Sequence, residues 1–122
     1  MDMKLDSVPS MPAAILARFE KAIVRELDVL GSDPVTAFDA GEGLGVAAEV
    51  PAALQSMLDC DALAREIVDV VVQQQASVPD VVLLVPAGAL PRDAAGRRLR
   101  RTCSRRFREG TLSAFAVYRR GV

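Results

Sequence analysis

Residues 91–101 read PRDAAGRRLRR, five arginines in eleven positions, opened by a proline and interrupted by a glycine. Two kinds of chemistry use such a segment. A run of guanidinium groups on one surface can neutralise the phosphates of a polyanion. A single cation on a loop shaped by proline and glycine can instead be carried to one place, where it steadies negative charge that develops during a reaction. Pro91 opens the loop, and Gly96, directly before Arg97, can supply a backbone conformation that a side chain would hinder.

The wider composition narrows the choice. The chain of 122 residues is 51% hydrophobic and 25% charged, which suits one small soluble domain able to bury its own core. It contains no histidine, so Ser-His-Asp and Cys-His chemistry and most zinc sites are excluded. Cys60 and Cys103 show no metal-ligand spacing, and Cys103 is expected to pack in the core. Asp59 and Asp61 suit helix caps better than metal ligands, so no metal site is expected. No apolar run approaches the ~18 residues of a membrane span. MDMKLDSVPSMP lacks the pattern of a secretory signal, so a cytoplasmic protein with reduced thiols is expected.

The net charge of −1 conceals an asymmetry. Residues 1–91 hold five basic against fourteen acidic side chains, and residues 92–122 hold ten arginines against Asp93 and Glu109. The basic third calls for an anionic partner: nucleic acid, a phosphorylated ligand, or an acidic protein surface, the rest of this chain included. Aromatic residues for base stacking make up only 4%, and no recognition motif is present, so specific nucleic-acid binding is not expected.

The elements that position these residues follow from periodicity. Residues 1–11 read as a leader or hinge remnant, and 12–122 as a single domain. Ile15, Leu16, Phe19, Ile23, Leu27 and Leu30 recur at helical spacing from Pro12 to a stop at Gly31, with Glu20, Lys21, Arg25 and Asp28 elsewhere around that helix. VTAF and LGVAAEV, joined by DAGEG, predict a hairpin over 35–50, and AALQSML is ambiguous. Residues 59–75 predict a second helix buried through Leu63, Ile67, Val70 and Val71. VVLLVP, apolar at every position, predicts a strand covered on both faces. An exposed loop over 87–97 and a basic helix ended by Gly110 come next. The tail is short and is expected to pack back through Leu112, Phe115 and Tyr118. The fold class is therefore α+β, with a small central sheet of about three strands packed by about three helices.

VVLLVPAGALPRDAAGRRLRR, residues 81–101, resembles the last conserved block of the acyl-adenylate-forming ligases, which typically reads VxxVPxxxLPKTxSGKxxRR. TCSRRFREGTL looks like the segment that follows in fatty acyl-AMP ligases, with their FxxGxL ending. The hairpin VTAFDAGEGLGVAAEVP and the helix PAAILARFEKAI also resemble that family, so the likeness spans roughly residues 12–113.

The resemblance implies a C-terminal lid that closes over a separate N-terminal adenylation domain. In the family, the lysine of the SGK motif enters the active site during adenylation, and the lid then turns to admit a thiol acceptor, usually that of an acyl carrier protein. Arg97 stands at the position of that lysine, and Arg92-Asp93-Ala94-Ala95 replaces Lys-Thr-Ser-Ser. Arginine keeps the charge but differs in shape and reach. Arg92, Arg98, Arg100, Arg101 and Arg105 are the candidate phosphate- or partner-binding residues, and from Arg98 to Arg108 a solvated basic face is expected. No cofactor is expected on this chain alone, because the phosphate loop for ATP and Mg2+ belongs to the large domain; the chain alone is not expected to be an enzyme. Two other readings stay open: a non-catalytic interaction or regulatory domain, and a weak nucleic-acid-binding module.

Overall fold

The computed structural model describes residues 13–27, 34–41, 43–57, 59–75 and 78–119. Pro12, Asp28, Leu30, Gly31 and the 1–11 leader lie outside them.

Helix α1, Ala13–Glu26, turns Leu16, Phe19 and Ile23 inward, as their three- and four-residue spacing requires. Strands β1, Val35–Asp39, and β2, Leu44–Val50, form the antiparallel hairpin. Asp39 shapes its turn by accepting the N–H of Gly41 at 2.8 Å. The ambiguous segment is a single helical turn, α2, Ala52–Gln55. Helix α3, Cys60–Gln75, starts at an Asp59 cap, whose carboxylate accepts the Ala62 N–H at 3.2 Å. It buries Leu63, Ile67, Val70 and Val71.

Strand β3, Val81–Pro86, runs parallel to β2, and a further strand, β4, Ala116–Arg119, pairs antiparallel with β3. The sheet among the described residues is therefore mixed and four-stranded, in the order β1-β2-β3-β4. The expected α+β sheet of about three strands is present with one further short strand, β4. A four-residue strand is too short to display a readable alternation, and its pairing comes entirely from β3. With α4, Arg100–Glu109, there are four helices among the described residues, the extra one being the single turn α2.

Helices α1 and α3 cover one face of the sheet, where Phe19, Ile23, Ile67 and Val71 meet Val35, Val46, Val82 and Leu84. Each such fully buried side chain contributes about 1.5–3 kcal/mol by leaving water. Helix α4 covers the other face through Cys103 and Phe107, against Phe38, Ala47, Val81, Leu83 and Val85. Strand β3 is thus buried on both sides, which explains its unbroken apolar sequence. Leu112 and Tyr118 pack back as the tail pattern predicts, whereas Phe115 is exposed. Among the described residues no helix is long and apolar enough to cross a membrane.

Candidate functional site

Strand β3 delivers the chain to a loop braced by carboxylates. At its start, Glu49 of β2 accepts the N–H groups of Gly88 and Leu90 through Oε2, at 3.0 and 3.1 Å. Its Oε1 lies 3.7 Å from Arg92 Nη2. Leu90 is buried against the α4 face and anchors the loop in the core.

Residues 92–98 then form a miniature hairpin. Arg92 and Arg98 make an antiparallel bridge, Leu99 N–H donates to Pro91 O at 3.1 Å, and Asp93 N–H donates to Arg97 O at 2.9 Å. The tip closes with Gly96 at φ +83°, a left-handed conformation in which a Cβ would be strained. Asp93 organises the tip. Its Oδ1 accepts the N–H groups of Ala95 and Arg97, each at 2.9 Å, and its Oδ2 accepts Arg97 Nε at 2.9 Å. These bonds, led by the Arg97 N–H, hold the Asp93 carboxyl below its ordinary value of 3.8.

Arg97 therefore stands at an exposed tip, with 81% of its side chain open to solvent, folded back on Asp93. At the foot of the hairpin the picture changes. Arg98 donates through Nε to Val35 O at 3.0 Å and lies 3.4 Å from Glu20 Oε1. Arg100 forks onto the same carboxylate, Nε to Oε2 at 3.1 Å and Nη2 to Oε1 at 2.7 Å. Arg101, Arg105, Arg106 and Arg108 are exposed along α4.

The basic run is thus three things, not one. Arg97 marks a tip, Arg92, Arg98 and Arg100 bind carboxylates of this same chain, and the remaining arginines of α4 form the outward face. A solvated face from Arg98 to Arg108 was the expectation; Arg98 and Arg100 depart from it because Glu20 is buried and needs compensating charge. The acidic partner anticipated for the basic third is, in part, the chain's own first half.

Glu20 is the residue that reading the sequence missed, although a signal existed. It lies four residues after Leu16 and three before Ile23, in register with the buried stripe of α1. A carboxylate in that register requires a hydrogen-bonded cation. Cys103 is buried in the core, and burial pushes its thiol up to about 12, which disfavours the reactive thiolate. Among the described residues no group of three or more acidic or cysteine side chains could hold a metal ion.

No protein-family model matches the sequence, and no curated protein matches it. Solved structures do share the fold. The fatty acid AMP ligase of Legionella pneumophila aligns over 87% of this chain with a TM-score of 0.68 and 22% identity. A fatty acyl-adenylate ligase from L. pneumophila, in complex with acyl adenylate and pyrophosphate, aligns over 84% with a TM-score of 0.54 and 19% identity. The chain spans only 19% and 18% of the lengths of those two enzymes. Its fold is that of one part, about a fifth, of each of those two chains.

Proposed function

We propose that this chain is the C-terminal lid of an AMP-forming fatty acyl ligase. It closes over an adenylation domain joined to it or supplied separately, and it has no activity alone. The observation that carries this reading is the exposed Arg97 at the tip of a hairpin braced on both sides by carboxylates, within a fold shared with such ligases. ATP and Mg2+ would be held by the adenylation domain. On closure, Arg97 would leave Asp93 and place its guanidinium against the carboxylate and phosphate oxygens, where charge develops as the acyl–phosphate bond forms and pyrophosphate departs. The exposed Arg101 and Arg105 offer a docking face for an acidic partner, the adenylation domain or an acyl carrier protein. The cytoplasm is the compartment in which this chemistry would run.

The test is ATP–pyrophosphate exchange with a fatty acid. The chain alone is expected to give none, and exchange should require an added adenylation domain. Removing one charge-stabilising donor typically lowers kcat about 10²–10³-fold. Arg97→Ala should therefore fall well below Arg97→Lys in the reconstituted enzyme, and equal rates for the two would refute the role of Arg97.

One observation favours a second reading. The Asp93 carboxylate already neutralises Arg97, as it would in a docking domain that no longer acts in catalysis. In that case Arg97→Ala changes nothing, whereas Arg101→Glu with Arg105→Glu abolishes binding to the partner.

A further inference from the structure

The outer edge of β1 is fastened by side chains. Glu49 N–H donates to Pro34 O, and Ala40 N–H donates to Gly43 O, so even-numbered residues face β2. In an antiparallel pair the alternate residues, Val35, Ala37 and Asp39, then turn their backbone groups outward. Each meets a side chain. Val35 O accepts from Arg98 Nε, Ala37 N–H donates to Glu20 Oε2 at 2.8 Å, and Asp39 O accepts from Ser104 Oγ. These three side chains come from the loop foot, α1 and α4, so the fastened edge is also where those elements are joined.

Glu20 is the centre of that joint. Among the described residues, three hydrogen bonds reach its two oxygens, from the Ala37 N–H and from Nε and Nη2 of Arg100, and Arg98 Nη1 forms an ion pair with Oε1 at 3.4 Å. Arg98 closes the bridge with Arg92, and Arg100 is the first residue of α4. Arg97 lies inside the bridge between Arg92 and Arg98, one residue before Arg98. Any movement of the foot is therefore carried to the tip.

We infer that Glu20 is a positioning residue: acting through Arg98 and Arg100, it fixes the foot of the hairpin whose tip presents Arg97. Where it concerns catalysis, this inference rests on the lid reading; the fixing of the hairpin stands apart from it. Preorganisation of this kind matters because a charge misplaced by about 1 Å can lower a rate by ~10²-fold.

Hydrogen exchange on the full chain tests the fixing directly, with Glu20→Gln and Arg100→Lys. The second variant keeps the positive charge, loses the fork, and decides the matter if the first does not fold. The amides of Asp93 and Leu99, bonded across the hairpin foot, should exchange at least about tenfold faster, with the β2–β3 amides unchanged. Unchanged rates at Asp93 and Leu99, or a rise shared equally by β2 and β3, would overturn the inference. In a reconstituted ligase both variants should lower kcat about tenfold with KM for ATP and fatty acid unchanged, and add nothing in an Arg97→Ala background. An equal further loss in that background would reduce Glu20 to a structural role. If Arg97→Ala itself has no effect, the lid reading falls, while the exchange rates still decide the fixing.

Discussion

Replacing Gly45 by alanine would place a methyl group inside the ring of Phe38. Gly45 and Phe38 are cross-strand partners, and a Cβ at Gly45 would lie 2.5 Å from Phe38 Cζ and 2.6 Å from Cε2. Carbon atoms rest about 3.5–4.0 Å apart, so roughly 1 Å must be found. The ring has nowhere free to go. Phe38 is fully buried, and its centroid lies 5.5 Å from that of Phe107, the aromatic residue of α4. Overpacking of this kind costs about 1–3 kcal/mol, and displacing the ring forfeits an aromatic pair of about 0.5–1.5 kcal/mol. With an unfolding entropy of about 2.1 cal/mol/K per residue, a total of ~2–4 kcal/mol lowers Tm by roughly 8–16 °C. Thermal unfolding followed by circular dichroism measures this, together with Phe38→Leu and the double variant. The smaller leucine makes room for the methyl group, so the double variant should lose clearly less than the sum of the singles. A Gly45→Ala Tm within about 2 °C of the parent, or simple additivity, would refute the reasoning.

Three further outcomes are expected. Asp93 is held below 3.8, so the stability that its carboxylate gives the hairpin tip is complete above its unfolded-state value and is lost as pH falls through the folded one. NMR titration of the Arg97 amide should accordingly show its midpoint below 3.8, and a midpoint at or above that value would contradict the geometry. Cys103, pushed up to about 12 by burial, should resist alkylation at pH 8 in the folded protein while the half-buried Cys60 is modified. Equal labelling, read by peptide mass spectrometry, would show that α4 opens readily. Glu49→Gln exchanges two charge-assisted hydrogen bonds for neutral ones and should cost about 2 kcal/mol in denaturant unfolding. A loss confined to a few tenths would mean that the loop start is held by Leu90 alone.

What could be read from the sequence was whatever neighbouring residues decide among themselves. The stripe Leu16–Phe19–Ile23 and its counterpart in α3 dictate helices with one buried face. VVLLVP dictates a strand covered twice, and the glycines before Arg97 and after Glu109 take the left-handed conformations that their turns require. The order of elements and the resemblance of residues 81–101 led to the fold shared with the two Legionella structures.

Tertiary structure alone decided where each charge goes. Glu20 and Arg100 are 80 residues apart, and no local pattern foretells that they meet. They meet because α1 and the loop foot both close on the outer edge of β1. Strand β4 likewise exists because β3 offers it a free edge, since four residues carry too little periodicity to announce themselves. Backbone conformation is settled over a few residues, whereas the burial of a carboxylate and its choice of partner are settled by chain topology. For that reason the arginine-rich run could be seen in the sequence, while its division into a tip, a foot and an outward face could not.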